Sequence, residues 1–84
     1  WWLVDYKTST VKGGLPYIEN HAQRYYLQLG AYASAVRQEL DGLTPRVFVH
    51  YIQYNRTVEI KTETWEQEVQ KLEHYIGELI GSPQ

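Results

Sequence analysis

This sequence has no cysteine and no methionine, and only three of its 84 residues are proline. The absence of cysteine excludes a disulfide framework, a thiolate zinc site and an iron–sulfur cluster held by this chain. No apolar run approaches the length of a membrane span or of a signal peptide. We therefore expect an intracellular, cytoplasmic domain with no membrane contact.

The chain also lacks an initiator methionine, and it begins with the apolar pair Trp1-Trp2. A native protein rarely begins inside a strand, so we interpret the chain as a piece of a longer protein. Its 84 residues form one small domain at most. Residues upstream of Trp1 are expected to complete the sheet or the functional site.

The charges are unevenly distributed, although the formal net charge is only −2. Up to Gln38 there are four basic and two acidic residues, whereas from Glu39 onward there are four basic and eight acidic residues. A surface region that carries an excess of one charge attracts ligands of the opposite charge. An anionic ligand is therefore expected to bind the first half of the chain.

The apolar pattern predicts the order β-α-β-β-α, which is an α/β fold with a mixed sheet flanked by helices. The predicted elements are a strand over 1–7, a loop over about 9–21, a helix over 22–40, a strand over 46–54, a turn at 55–56, a strand over 57–61 and a final helix. The strand over 46–54 is apolar on both faces, so we expect it to be central in the sheet.

The final helix is predicted from its ends and its apolar stripe. A capping box, Thr64-Trp65-Glu66-Gln67, opens it, and Gly81 and Pro83 end it. The expected core stripe consists of Trp65, Val69, Leu72, Ile76, Leu79 and Ile80.

An acid and a lysine lie two residues apart at the end of the first predicted strand. Because side chains alternate along a strand, Asp5 and Lys7 share one face and Tyr6 points to the other. A carboxylate can hold magnesium, and a neighbouring lysine can neutralise charge on a phosphate. This pair is therefore a candidate site for phosphodiester hydrolysis, with the carbonyl of Tyr6 as a further metal ligand. The alternative is a solvated ion pair at a strand end.

Gln28 and Tyr32 form a second candidate element on the following helix. Residues four apart lie on the same helical face. Their alternative interpretation is a polar rim beside the core stripe of that helix.

The segments VDYKT (4–8) and QLGAY (28–32) together resemble the RecB-type nucleases of the PD-(D/E)xK superfamily, especially the C-terminal nuclease domains of AddA-like and RecB-like helicase–nucleases. The resemblance extends from about Trp1 to Ile60 and implies a restriction-endonuclease-like core. It implies that Asp5 is a metal ligand and that Lys7 is the catalytic lysine. Gln28 and Tyr32 would brace the active site and contact DNA.

The resemblance also implies the cofactors and partners. They are Mg²⁺ or Mn²⁺, a DNA substrate for exonuclease digestion, an upstream helicase that uses ATP, and a second helicase–nuclease subunit, all acting in double-strand break repair and recombination. The family places another acidic residue on the strand before D-Y-K, and often a histidine further upstream. Both positions would precede Trp1, so we expect this chain alone to be inactive.

Other residues are candidates for contact with DNA. Lys12 lies beside Gly13-Gly14, and Arg24 lies one helical turn before Gln28. Lysine and arginine contacts to phosphates supply most nonspecific affinity for DNA. His21 beside the loop could also contact phosphate, although a solvated histidine and a solvated loop are the simpler interpretations.

Two further functional hypotheses remain open. The chain could be a degenerate nuclease-like domain that only binds DNA or a partner subunit. Alternatively, it could be an α/β interaction module that uses Trp1-Trp2 and a tyrosine surface.

Overall fold

The computed structural model describes residues 1–80, which fold into a three-stranded mixed sheet and its helices. The strands are β1 (Trp2–Lys7), β2 (Arg46–Tyr51) and β3 (Arg56–Ile60). Strand β2 is central, parallel to β1 and antiparallel to β3. The predicted α/β class, the order of elements and the central position of β2 are confirmed.

The first helical segment begins earlier than the sequence pattern predicts. Its parts are a 3₁₀ turn (Leu15–Tyr17), α1 (Ile18–Ala22), a second 3₁₀ turn (Gln23–Tyr25) and α2 (Tyr26–Glu39). The predicted start at residue 22 is wrong because Ile18 and Ala22, four residues apart, already form a fully buried helical face. The expected loop over 9–21 is correspondingly shorter.

The loop after β1 is fastened to the turn after β2. The backbone N–H of Val11 donates to the Tyr54 hydroxyl at 2.9 Å, and that hydroxyl donates to the Val11 carbonyl at 3.3 Å. Val11 itself is buried at 3% exposure. The Thr10 hydroxyl also donates to the Gln53 side-chain oxygen. These contacts fix the backbone just before Lys12, beside the first helical segment.

Replacing Tyr54 with phenylalanine is expected to lower the free energy of unfolding by roughly 1 kcal/mol, because the Val11 N–H loses its acceptor. Urea denaturation measures this loss. Tyr75→Phe is the matched control, since Tyr75 lies on the last helix and is 59% exposed. Equal stability of the Tyr54 variant and the unmodified protein would contradict the anchoring.

Strands β2 and β3 pair antiparallel, but their connection differs from the predicted turn at residues 55–56. Strand β2 ends at Tyr51, and Ile52–Tyr54 form a 3₁₀ turn. Asn55 follows in the left-handed conformation with φ of 47°, which asparagine tolerates better than most residues. Arg56 is already the first residue of β3 and not part of the turn.

The last helix, α3 (Thr62–Leu79), begins before the predicted capping box. Lys61 is its N-cap and has extended backbone, and no side chain caps this end. Thr64 lies inside the first turn, where its N–H donates to the Lys61 carbonyl at 2.9 Å. The capping-box prediction is therefore wrong, because strand β3 passes into the helix over a single residue.

Only the first half of the predicted α3 stripe enters the core. Trp65 is fully buried and Val69 packs partly against the core, whereas Ile76, Leu79 and Ile80 are 46%, 65% and 74% exposed. The predicted helix-ending residues Gly81 and Pro83 lie outside the described residues. No helix within residues 1–80 has the length and apolar character needed to cross a membrane.

The helices pack on one face of the sheet. Val47, Val49 and Tyr51 of β2 are fully buried there. The opposite face carries Trp2 and Tyr6, which are 70% and 64% exposed. The core therefore lies between the sheet and the helices, and its edge is where the acid–lysine pair is found.

Candidate functional site

Asp5 and Lys7 form an ion pair at the end of β1. Lys7 Nζ lies 2.9 Å from Asp5 Oδ2, and the two side chains are 23% (Lys7) and 32% (Asp5) exposed. Tyr6 instead packs its ring against His50, with ring centroids 5.7 Å apart. The face predicted to be shared by Asp5 and Lys7 is confirmed.

The pair lies at the carboxyl edge of the two parallel strands. Lys7 is the last residue of β1, and it is in register with Tyr51, the last residue of β2. Ligands of α/β proteins commonly bind outside this edge, where loops and helix ends converge. The fold thus places the half-buried carboxylate of Asp5 and the half-buried ammonium group of Lys7 at an edge where ligands commonly bind.

The rings of Tyr25, His21 and Tyr51 lie beside the ion pair, and the sequence did not predict that these residues are neighbours. Lys7 Nζ lies 3.9 Å from the centroid of the Tyr25 ring, a cation–π distance. The His21 ring packs against Tyr25 at 5.6 Å and against Tyr51 at 5.5 Å. His21 Nδ1 and the Tyr51 hydroxyl oxygen are 2.8 Å apart in a hydrogen bond. No signal in the sequence links His21 to Tyr51, because their contact joins α1 to the end of β2, 30 positions further along the chain.

The protonation of this cluster follows from its surroundings. Burial lowers the pKa of His21, and the nearby positive charges of Arg24 and Lys7 lower it further. Burial is also the main cause that raises the pKa of Tyr51 to about 12. At neutral pH the Tyr51 hydroxyl therefore keeps its proton, and the His21 ring is neutral.

Gln28 and Tyr32 lie on an outward face of α2. Tyr32 is 60% exposed, and Gln28 is also exposed. The same helix presents Leu29, Gly30 and Ala33 to the core. Within residues 1–80, neither Gln28 nor Tyr32 makes a side-chain hydrogen bond, so no such bond joins them to the acid–lysine pair.

Lys12 and Arg24 come together although they belong to different elements. Both line one surface hollow of about 200 Å³. The full lining consists of Val11, Lys12, Tyr17, Asn20, His21 and Arg24. Two residues expected to contact DNA therefore share a site with His21, and His21 connects that hollow to Tyr25 and Lys7.

The residues at hand fit a divalent metal ion only in part. Asp5 offers one carboxylate, which Lys7 already holds at 2.9 Å. In the described part of the chain, no three His, Cys, Asp or Glu side chains cluster as metal ligands. Magnesium is commonly held by one or two carboxylates together with waters and phosphate oxygens. These residues do not form a metal centre by themselves.

Comparison of this chain with protein-family models, with curated proteins and with solved structures finds no match.

Proposed function

We propose that this chain is the C-terminal part of a metal-dependent DNA nuclease domain with a restriction-endonuclease-like core. The parent protein is then a cytoplasmic, ATP-dependent helicase–nuclease that digests DNA ends during double-strand break repair and recombination. One observation carries the proposal above the others. The Asp5–Lys7 pair lies at the carboxyl edge of the parallel strands, beside a hollow lined by two further cations.

Lys7 is the residue to which we assign the central role. Its ammonium group can donate to a non-bridging phosphate oxygen and neutralise charge that develops as the phosphodiester bond breaks. Asp5 and the Tyr25 ring hold that ammonium group from two sides. A positioned donor of this kind is more effective than a freely rotating lysine, because its orientation is set before the substrate binds.

The proposed cofactor is Mg²⁺ or Mn²⁺. The ligands that this chain can offer are the Asp5 carboxylate and the Tyr6 carbonyl. The resemblance implies a second carboxylate on the strand before D-Y-K, and no three possible metal ligands cluster within residues 1–80. Gln28 and Tyr32 are exposed on α2, which suits contact with DNA better than bracing of side chains inside the fold.

A second candidate function is DNA or partner-subunit binding without catalysis. The observation that favours it is the single carboxylate of the pair, which is already neutralised by Lys7. Such a binding-only domain would use the same cationic hollow and would not cut DNA in any form of the protein.

DNA as the ligand is tested on the chain itself by fluorescence anisotropy at several salt concentrations. We expect affinity that falls with salt, and a salt slope that decreases by about one in Arg24→Gln and again in Lys12→Gln. Lys71→Gln is the matched control, because Lys71 is an exposed cation on α3. Absence of binding at low salt, or loss in the Lys71 variant alone, would refute DNA binding at this site.

A further inference from the structure

The hollow beside the acid–lysine pair has the chemistry of a phosphate site. Lys12 and Arg24 line it from two different elements, and Asn20 and His21 add further polar groups. No acidic side chain is among its lining residues in the described part of the chain. Phosphate is bound by such combinations of cations and hydrogen-bond donors.

His21 is held in one orientation from behind. Its Nδ1 bonds to the hydroxyl of Tyr51, a side chain with no exposure to solvent. In the tautomer in which that hydroxyl donates to Nδ1, the ring proton is on Nε2, and a protonated ring also carries a proton there. Nε2 is the nitrogen left for a ligand, and in both of these forms it is a donor.

The other side of the hollow is also ordered before a ligand arrives. Lys12 follows Val11, which is buried and bonded to Tyr54. Arg24 lies within the continuous helical segment between α1 and α2. Little backbone ordering is therefore needed when an anion binds, which lowers the cost of binding.

The hollow is adjacent to the acid–lysine pair. Lys7 Nζ and the His21 ring both pack against Tyr25, at 3.9 Å and 5.6 Å from its ring centroid. We propose that this hollow binds the DNA phosphate next to the one that faces Asp5 and Lys7, with His21 Nε2 as donor and Lys12 and Arg24 as counter-charges. This inference rests on the proposed function and names the contact that sets the register of the strand.

Binding of a phosphate makes this hollow sensitive to pH. The charged or titratable groups around the His21 ring are Lys7 with its partner Asp5, Lys12, Tyr17, Arg24, Tyr25 and Tyr51. In the free protein, burial and the nearby cations disfavour a protonated ring. A bound phosphate opposes them, so it raises the pKa of His21 and binds more tightly as pH falls.

The test is an NMR pH titration of the histidine rings of the full chain, with and without a short oligo(dT). We expect the pKa of His21 to rise by about half a unit or more when the oligonucleotide is bound. The other two histidines are internal controls. His50 bonds to Thr57 on the open sheet face, and His74 pairs with Glu78 on α3.

Variants and a second probe separate the inference from the proposed function. We expect His21→Gln and Arg24→Gln to weaken oligo(dT) binding about fivefold to tenfold, with Lys71→Gln unchanged. If oligo(dT) binds and Lys7→Gln weakens it, but the His21 titration does not move, the hollow is not the phosphate site and the proposed function stands. If inorganic phosphate shifts His21 but oligo(dT) does not bind, the hollow is an anion site and DNA is not its ligand.

Discussion

Replacing Gly30 with alanine is expected to lower the free energy of unfolding by about 1–3 kcal/mol, even though alanine is the better helix former. A Cβ atom at this position would lie 2.9 Å from the Cβ of Trp65 and 3.0 Å from its carbonyl oxygen. Neither atom is the end of a flexible side chain, so α2 and α3 would have to separate. Chemical denaturation measures the change.

Gly77→Ala supplies a control of opposite sign. Gly77 also lies within a helix, but an added Cβ there would meet nothing within 4 Å. We expect this variant to gain up to about 1 kcal/mol from helix propensity. Stabilisation by both substitutions would show that α2 and α3 are not in close contact at Gly30.

This comparison bears on the QLGAY segment. Its glycine lies where α2 meets the fully buried Trp65, and the Arg37–Glu66 ion pair at 2.6 Å joins the same two helices. The close packing of α2 and α3 therefore explains why this position is glycine, without any role in catalysis.

Replacing Lys7 with alanine is expected to reduce DNA cleavage by the parent protein about a hundredfold or more, which is typical for removal of one transition-state donor. DNA binding should weaken only severalfold, because Lys12 and Arg24, the two cations of the neighbouring hollow, are unchanged. A large loss of cleavage with a small loss of binding would show that Lys7 acts in the reaction and not only in holding DNA. Cleavage rate and DNA affinity are therefore measured on the same preparation.

Two further variants, Lys7→Gln and Lys7→Arg, test whether the loss of cleavage in Lys7→Ala comes from misfolding. Glutamine keeps much of the bulk that packs on Tyr25, and arginine keeps the charge. We expect both variants to fold and to bind DNA while cutting slowly, since neither reproduces a compact ammonium group 2.9 Å from Asp5. Full cleavage in Lys7→Gln would refute a catalytic role for this residue.

Much of the sheet could be predicted because strand side chains alternate. The alternation of Val47, Val49 and Tyr51 puts them on one face of β2, and the same rule puts Asp5 and Lys7 together. The central place of β2 is predicted because both of its faces are apolar. Such local patterns carry their information within a few residues.

The remaining features depend on contacts that are distant in sequence. Tyr54 anchors Val11 across 43 positions, and Tyr51 meets His21 across 30. The local capping pattern predicts a helix that begins at Thr64. The helix begins at Thr62 instead, because β3 leads into it over the single residue Lys61. The shared hollow of Lys12 and Arg24 likewise follows from the packing of the loop onto α1 and not from any motif.

The segments VDYKT and QLGAY lie in different surroundings in the fold. The first segment forms a half-buried pair at an edge suited to a ligand. In the second, Gln28 and Tyr32 face outward and Gly30 packs against α3. The proposal of nuclease activity therefore depends mainly on Lys7.

The most direct measurement is Mg²⁺- or Mn²⁺-dependent degradation of end-labelled single-stranded DNA by the proposed parent protein, with Lys7→Ala beside it. We predict metal-dependent cutting that disappears in the Lys7 variant. A folded protein that binds DNA but does not cut it would contradict the nuclease proposal and would establish a binding-only domain.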